Sequence, residues 1–452
     1  MTTPFTHGTL TWALGIEDTC VYPPSRYQAF VLDEHALTGH DDRWRDDLRA
    51  ARDLGATAIR YGAAWPLANP GPGRYDWAQL DERLGYAAGD LGLTVVADLV
   101  HYGAPTWLDG SFADPRYPQA VADFAGAFAA RYRGLVDCVT PLNEPLTTAS
   151  FAGLRGIWPP ALTGWRGWTE VVVNIADGIA RSSAAVAAEN PAATVVHVEA
   201  ASLYTPGAPE VRQAAERLSR LGFLPTDLVL GTVSPEHPLY GWLVRQGADE
   251  ERLERLAAQP ARVDVLGINY YPDLSPRRLT ASDVLSSGLA QEAHNLWTEG
   301  LETSVRAFAD RYGLPMLITE TSIEGDDVVR TSWLRSSVAA VRDLMAAGLD
   351  IRGYTWWPFF DFVDWSYASR GVNVEEFEVA ADVLAARRAA FADPGRVAKT
   401  PFLRRMGLVR LDEDDEGGLT LHPTRAAAEF AALSREGRSH RPMDETDASA
   451  PA

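Results

Sequence analysis

The stretch VDCVTPLNEP, residues 136–145, is an apolar, partly β-branched run that stops at an amide and a carboxylate, Asn143 and Glu144, and is closed by Pro145. Proline lacks the N–H that a strand ladder needs but suits the first turn of a helix. Asn143 and Glu144 therefore stand where a buried strand gives way to a helical turn. Taken alone, Glu144 reads either as a helix-start residue or as a functional carboxylate, and the Asn-Glu-Pro tripeptide is too short to decide.

The same pattern recurs on both sides. Upstream are TLTWAL from residue 9, ATAIRYG from 56 and LTVVADL from 93. Downstream are ATVVHVEA from 193, VDVLGIN at 263–269, PMLIT from 315 and IRGYTWW from 351. With the opening run these make eight short strand-like segments. Segments of helical period lie between them, such as DDRWRDDLRAARDLG, WAQLDERLGYAAGDLG, QAVADFAGAFAARYRG and TSWLRSSVAAVRDLMAAG. Each ends in a glycine suited to a helix C-terminus: Gly55, Gly92, Gly134 and Gly348. Strands this apolar are buried on both faces, as parallel strands are. Eight strand–helix units predict a single-domain α/β fold, the (β/α)8 TIM barrel. A doubly wound open sheet is the competitor, but no Gly-rich phosphate loop follows the first strand. The barrel is expected over residues 1–433. Residues 371–406 form an insert after the eighth strand, helical at its centre, and 434–452 form a polar, disordered tail.

The bulk numbers narrow the function. Of 452 residues, 46% are hydrophobic, enough for a large core. The formal charge of −20 argues against nucleic acid, whose phosphates need clustered Lys and Arg. Cys20 and Cys138 form no CxxC pair, so they read as small buried hydrophobes rather than zinc ligands or a disulfide framework. No spacing implies a metal or cofactor. The N-terminus MTTPFTHGTL has neither a basic start nor an apolar core, and no window holds eighteen uninterrupted apolar residues. No membrane partner and a cytoplasmic location are the default expectations; nothing indicates an oligomeric state.

In a (β/α)8 barrel the active site lies at the C-terminal ends of the strands. The predicted strands end in Arg60-Tyr61, His101-Tyr102, Asn143-Glu144, Asn269-Tyr270-Tyr271 and Glu320, and the eighth is followed by Trp357, Asp361, Asp364 and Trp365. Arg60 alone could be a surface charge and His101 a structural histidine. Their shared position at one end of successive strands favours function. Two carboxylates, Glu144 and Glu320, converge there, which is what glycoside cleavage requires.

These segments resemble glycoside hydrolase family 1, the β-glucosidase and β-galactosidase family. The resemblance runs from about Thr9 to about Leu433, apart from the insert at 371–406, and rests on TLTWALGIED, AIRYGAAWP, HYGAPTWL, TPLNEP, GIWPP, VLGINYYP, ITETSIEGDD, RTSWLRSSVAAVRDLMAAGLDIRGYTWWPFFDFVDW, GLVRLD and LHPTRAAAEF in order. It implies a retaining, exo-acting β-glycosidase for small β-linked glycosides, with Glu144 as general acid/base and Glu320 as nucleophile. Asn143 would bind the sugar 2-hydroxyl, Arg60 would keep Glu320 ionised, and Tyr271 would donate to Glu320. His101, Tyr102, Asn269, Asp364 and Trp365 would surround the sugar, with Trp357 as the platform beneath it. Three positions depart from the family pattern. Gly15 replaces a Gln that grips the outer hydroxyls, Tyr102 replaces a Trp, and Asp364 replaces a Glu. The chemistry is kept while the glycone differs. A transglycosylase with the same residues, an unrelated barrel endo-glycanase and a silenced sugar-binding barrel remain open. Ser366, Tyr367 and Arg370 could imitate a phosphate site for a 6-phosphoglycoside, but Asp364 would repel it.

Overall fold

A computed structural model describes residues 4–17, 19–27, 31–283, 288–368 and 399–439. All eight expected strands form: β1 (Thr11–Ile16), β2 (Ala58–Gly62), β3 (Thr94–Asp98), β4 (Cys138–Thr140), β5 (Thr194–Ala200), β6 (Val265–Asn269), β7 (Met316–Thr321) and β8 (Ile351–Trp356). They pair in parallel in chain order, and β8 closes onto β1. Each strand is followed by a helix of the outer ring: α1 (His40–Asp53), α2 (Ala78–Leu84), α3 (Tyr117–Arg131), α4 (Gly164–Glu189), α5 (Arg212–Val229), α6 (Trp297–Tyr312), α7 (Asp327–Ala346) and α8 (Arg425–Ser439). The four glycines expected to end helices all have positive φ.

Two buried apolar layers result. The larger lies between strands and helices and includes Trp12, Ile59, Val95, Ile268, Ile318 and Trp333. The smaller fills the barrel: Val96, Cys138, Val196, Val198, Val265 and Leu317, with Phe5 against them. The interior is tight at Gly267, where an added Cβ would meet Thr319 at 2.6 Å and Val198 at 2.8 Å. Both cysteines are buried. Helix α4 has the length and hydropathy of a membrane span, but most of its apolar window is buried, as in the core helix of a layered domain.

Two loop systems cover the C-terminal end of the barrel. Leu203–Pro206, after β5, joins Pro276–Ala281 and Leu289–Ala293, after β6, in a small sheet. After β8, Phe362–Val363 pairs with Leu403–Arg404. The expected insert lies mostly outside the described residues, but its last part, from 399, returns the chain beside β8. The last helix runs to Ser439, so the tail boundary expected at 434 falls inside α8, where apolar Ala427 and Phe430 pack on the core.

Candidate active site

Arg60, on β2, is 1% exposed and organises the C-terminal end of the barrel. Its Nη1 donates to Glu17 and Glu320, both at 2.7 Å, and to the Thr319 carbonyl at 3.1 Å. Its Nη2 donates to Asp98 at 2.6 Å and to Asn143 Oδ1 at 3.1 Å. Burial opposes the guanidinium charge, yet Glu17, Glu320 and Asp98 together hold the pKa above its ordinary value. A planar fork with several donors is suited to such a site; a lysine would reach fewer of these acceptors.

Glu320 reaches this cluster because β7 is irregular. Its register against β6 shifts between Ile318 and Glu320. The shift lets two consecutive residues face inward: Thr319 Oγ1 donates to Asn269 Oδ1 at 2.7 Å, and Glu320 meets Arg60. Bulges commonly re-aim side chains in this way. The second oxygen of Glu320 accepts from Tyr271 at 2.6 Å. Burial and the Glu320 charge push the Tyr271 hydroxyl well above its usual range, so it remains a donor.

Glu144 sits on a different set of contacts. Its backbone is left-handed, at φ +46° and ψ 73°, at the entry to the turn Pro145–Ala149. Asn269 Nδ2 donates to Oε1 at 2.7 Å, and the Tyr102 hydroxyl donates to Oε2 at 2.8 Å. That hydroxyl in turn accepts from Asn143 Nδ2 at 2.7 Å. Burial and the neighbouring Glu320 charge raise the Glu144 pKa, while hydrogen bonds from Asn269, Thr147 and Tyr102 oppose the rise. The two carboxyl groups are thus inequivalent: a cation faces Glu320 directly, and only neutral donors touch Glu144. Both are nearly enclosed, at 2% and 6% exposed.

The remaining expected residues divide. His101 lies against Asp98 at 3.2 Å, within 3.5 Å of Asn143 Nδ2. Trp357 packs on Tyr271 and Phe362, and Trp365 packs on Tyr102, Phe151 and Trp158. The indole N–H of each is buried and meets no acceptor among the described residues. Tyr102 and Asn269, expected to line the sugar, both bond the acid carboxyl. Asp364 is engaged by the protein itself: it caps the turn Trp365–Tyr367 through the Ser366 N–H and hydroxyl, and accepts from Arg404 at 3.2 Å. Asp361 is structural, bonding Gly407, Leu411 and Arg405. Arg370 lies outside the described residues.

Four participants escape the strand-end reading. Glu17 directly follows the end of β1, and Asp98 is an acid inside an apolar run; those placements are the signals that could have exposed them. Glu199 follows the same rule on β5. Arg404 carries no local signal, because only the returning chain after β8 brings it to Asp364. At Gly15 an added Cβ would lie 2.5 Å from a Glu17 carboxylate oxygen and 2.6 Å from Trp357 Cδ1. The missing side chain is what lets Glu17 fold beside Arg60. Among the described residues, no group of His, Cys, Asp or Glu side chains could hold a metal ion.

The profile of glycosyl hydrolase family 1 matches residues 25–371. The chain belongs to this family. It is 29% identical over 372 residues to the thermostable beta-glucosidase B of Thermobispora bispora, covering 74% of this chain and 75% of that protein. It is 26% identical over 432 residues to a bifunctional beta-D-glucosidase/beta-D-fucosidase of Bifidobacterium breve, covering 80% and 90%. The fold matches a beta-glucosidase from Thermotoga maritima solved with deoxynojirimycin, with a TM-score of 0.74 at 16% identity, over 96% of this chain and 99% of that one. The barrel is therefore a family 1 barrel and the protein a glycoside hydrolase.

Proposed function

We propose that this family 1 enzyme is a retaining, exo-acting β-glycosidase in which Glu320 attacks the anomeric carbon and Glu144 protonates the departing oxygen. One observation carries this division of labour. Glu320 is bonded by a buried guanidinium and a tyrosine hydroxyl, which favour its charge, whereas burial and the Glu320 charge keep the proton on Glu144. In the first step the C1–O bond breaks as the Glu320–C1 bond forms, and the Glu144 proton goes to the leaving oxygen. In the second, Glu144 takes a proton from water as that water displaces Glu320, restoring both groups. Asn143 is held by Arg60 and Tyr102, and it is the candidate partner of the 2-hydroxyl. The test is the anomeric configuration of the first product, read by NMR. Retention is expected, and inversion would remove Glu320 as nucleophile.

The glycone reading is narrower. Family resemblance assigns two grips on the outer hydroxyls to positions 15 and 364. Here Gly15 has no side chain, and Glu17 and Trp357 crowd its Cα. Asp364 is turned toward Arg404 and Ser366. Weak turnover of simple β-glucosides is expected relative to a glycone with a different or absent C6 group, such as a β-fucoside or β-xyloside. The bifunctional Bifidobacterium relative, whose name joins glucosidase to fucosidase, is compatible with this. The check is kcat/KM across aryl β-glucoside, β-galactoside, β-fucoside and β-xyloside. A strong preference for the glucoside would overturn the narrower reading and leave the mechanism untouched.

A further inference from the structure

Behind the acid-bearing corner lies a buried carboxyl that the mechanism above does not use. Glu199, on β5, is fully buried. Its Oε1 accepts from the Ala200 N–H at 2.9 Å and the Leu146 N–H at 3.2 Å. Its Oε2 is buried and meets no donor among the described residues. Burial pushes the Glu199 pKa well above the carboxylate range; the two N–H groups oppose the rise, and the Glu144 charge adds to it.

The backbone it touches needs holding. A left-handed conformation at a residue with a side chain costs about 1–3 kcal/mol and persists only where its surroundings impose it. Glu144 is such a residue, and Pro145 after it has no N–H to anchor. The two amide donors flanking that proline both go to β5. The Glu144 N–H donates to the Val198 carbonyl at 3.1 Å, and the Leu146 N–H donates to the Glu199 side chain. On the other side, the Thr148 hydroxyl donates to the Asn143 carbonyl at 3.2 Å, and the Thr148 N–H to the Glu144 carbonyl at 2.9 Å.

We propose that Glu199 is a positioning residue for Glu144: with the Val198 carbonyl it clamps the strained Glu144–Leu146 corner to β5 and so fixes the direction from which Glu144 delivers its proton, while Asn143 is held separately by Arg60 and Tyr102. This rests on Glu144 being the acid. A reacting group displaced by an ångström loses on the order of a hundredfold in rate, so a slack corner would be felt in both steps in which Glu144 moves a proton, of which kcat/KM reports the first.

The experiment compares two substrates with the same glycone. A 2,4-dinitrophenyl glycoside departs with little protonation, whereas an alkyl glycoside needs the acid. Glu199→Ala should lower kcat/KM for the alkyl glycoside roughly ten- to a hundredfold while leaving the dinitrophenyl glycoside nearly unchanged. Glu199→Gln keeps the acceptor oxygen without charge and should recover most of the loss. Glu199→Met fills the same volume without an acceptor and should reproduce the split; it carries the test if Glu199→Ala does not fold. Equal losses on both substrates, or none on either, overturn the proposal. Glu144→Gln is the control. If it shows no split, the assignment of Glu144 falls; if it splits and the clamp variants do not, only Glu199 falls.

Discussion

Toward the N-terminal ends of its strands the barrel is filled by Val96, Cys138, Val196, Val265 and Leu317 against Phe5; toward the C-terminal ends the same strands present Arg60, Asp98, Asn269 and Glu320, joined by Glu17 and Glu144. Both ends are dry. The lower one gains from burial and is indifferent to pH. In the upper one the Arg60 guanidinium lies among three carboxylates that bond it, with Glu144, an acid whose pKa is raised, beside them. Desolvating those ions opposes folding, and a buried ion cluster is weak evidence for stability. The lower half therefore anchors the fold, and the upper half spends part of that stability on chemistry. Substitutions at the two ends should separate rate from stability.

The largest separation is between Glu320→Ala and Leu317→Ala, three residues apart on β7. Glu320→Ala should lower kcat by several orders of magnitude, with partial rescue by azide and an inverted glycosyl azide product, while the midpoint of thermal unfolding stays level or rises. Leu317→Ala should leave kcat within a few-fold and destabilise by about 2–5 kcal/mol, the range for truncating a buried leucine. Kinetics and denaturant melts on both variants check this. A Glu320→Ala enzyme with full activity would remove the nucleophile assignment.

Arg60→Met should disturb both properties. Without the guanidinium, Glu17, Asp98 and Glu320 are buried acids lacking their cation. Breaking a buried ion cluster costs about 3–5 kcal/mol. Glu320 and Asn143 both lose the donor that holds them, so kcat should fall as well. Denaturant melts and kinetics on the variant check this, and an Arg60→Met enzyme with the parent's kcat and stability would show that Arg60 does not organise the site. Glu17 shares Nη1 of Arg60 with Glu320, so Glu17→Gln should produce the same losses at smaller size.

How much of this was legible beforehand follows the same division. The strands could be read because each barrel strand is a short, largely apolar run, and four of the helices because their glycines sit where a left-handed residue is needed. Arg60, Glu144 and Glu320 were legible as polar residues at the same end of successive strands. The contacts that distinguish their roles were not, since they depend on the bulge at Glu320 and the turn at Glu144. Tyr102 illustrates the gap: its position pointed to the sugar, but its hydroxyl spans Asn143 and Glu144. Asp98 lies within an apolar run and Glu17 just past the first strand, and nothing local to either shows that both turn toward Arg60. Arg404 was hidden by distance along the chain.

Tyr102→Phe gives a smaller effect at the upper end. The hydroxyl donates to Glu144 and favours its ionised form, against burial and the Glu320 charge. Removing it should raise the Glu144 pKa further and shift the basic limb of the profile upward. Water activation in the second step should slow, because Glu144 is then less often ionised. A pH–rate profile under conditions where the second step limits turnover checks both. An unmoved basic limb would mean that Tyr102 serves only to orient Asn143.

The smallest expected effect lies at the lower rim, where ions do face water. Hydrogen bonds from Arg352 hold the Asp350 pKa down to about 2, against a small opposing burial effect and with help from His7. Arg352 also donates to the Phe5 carbonyl, so the pair sits beside the apolar plug. A depressed folded-state pKa contributes stability that is present above the unfolded carboxylate value, near 4, and is lost as pH falls toward about 2. Asp350 is 30% exposed, so solvent screens the pair and its worth at neutral pH is under about 1 kcal/mol. Asp350→Asn should therefore lower the unfolding free energy slightly at pH 7, and the gap from the parent should close between pH 4 and pH 2. Activity should not change, because the variant lies at the opposite end of the barrel from Arg60. A gap that persists at pH 2, or a change in kcat at pH 7, would show that the two ends are not independent.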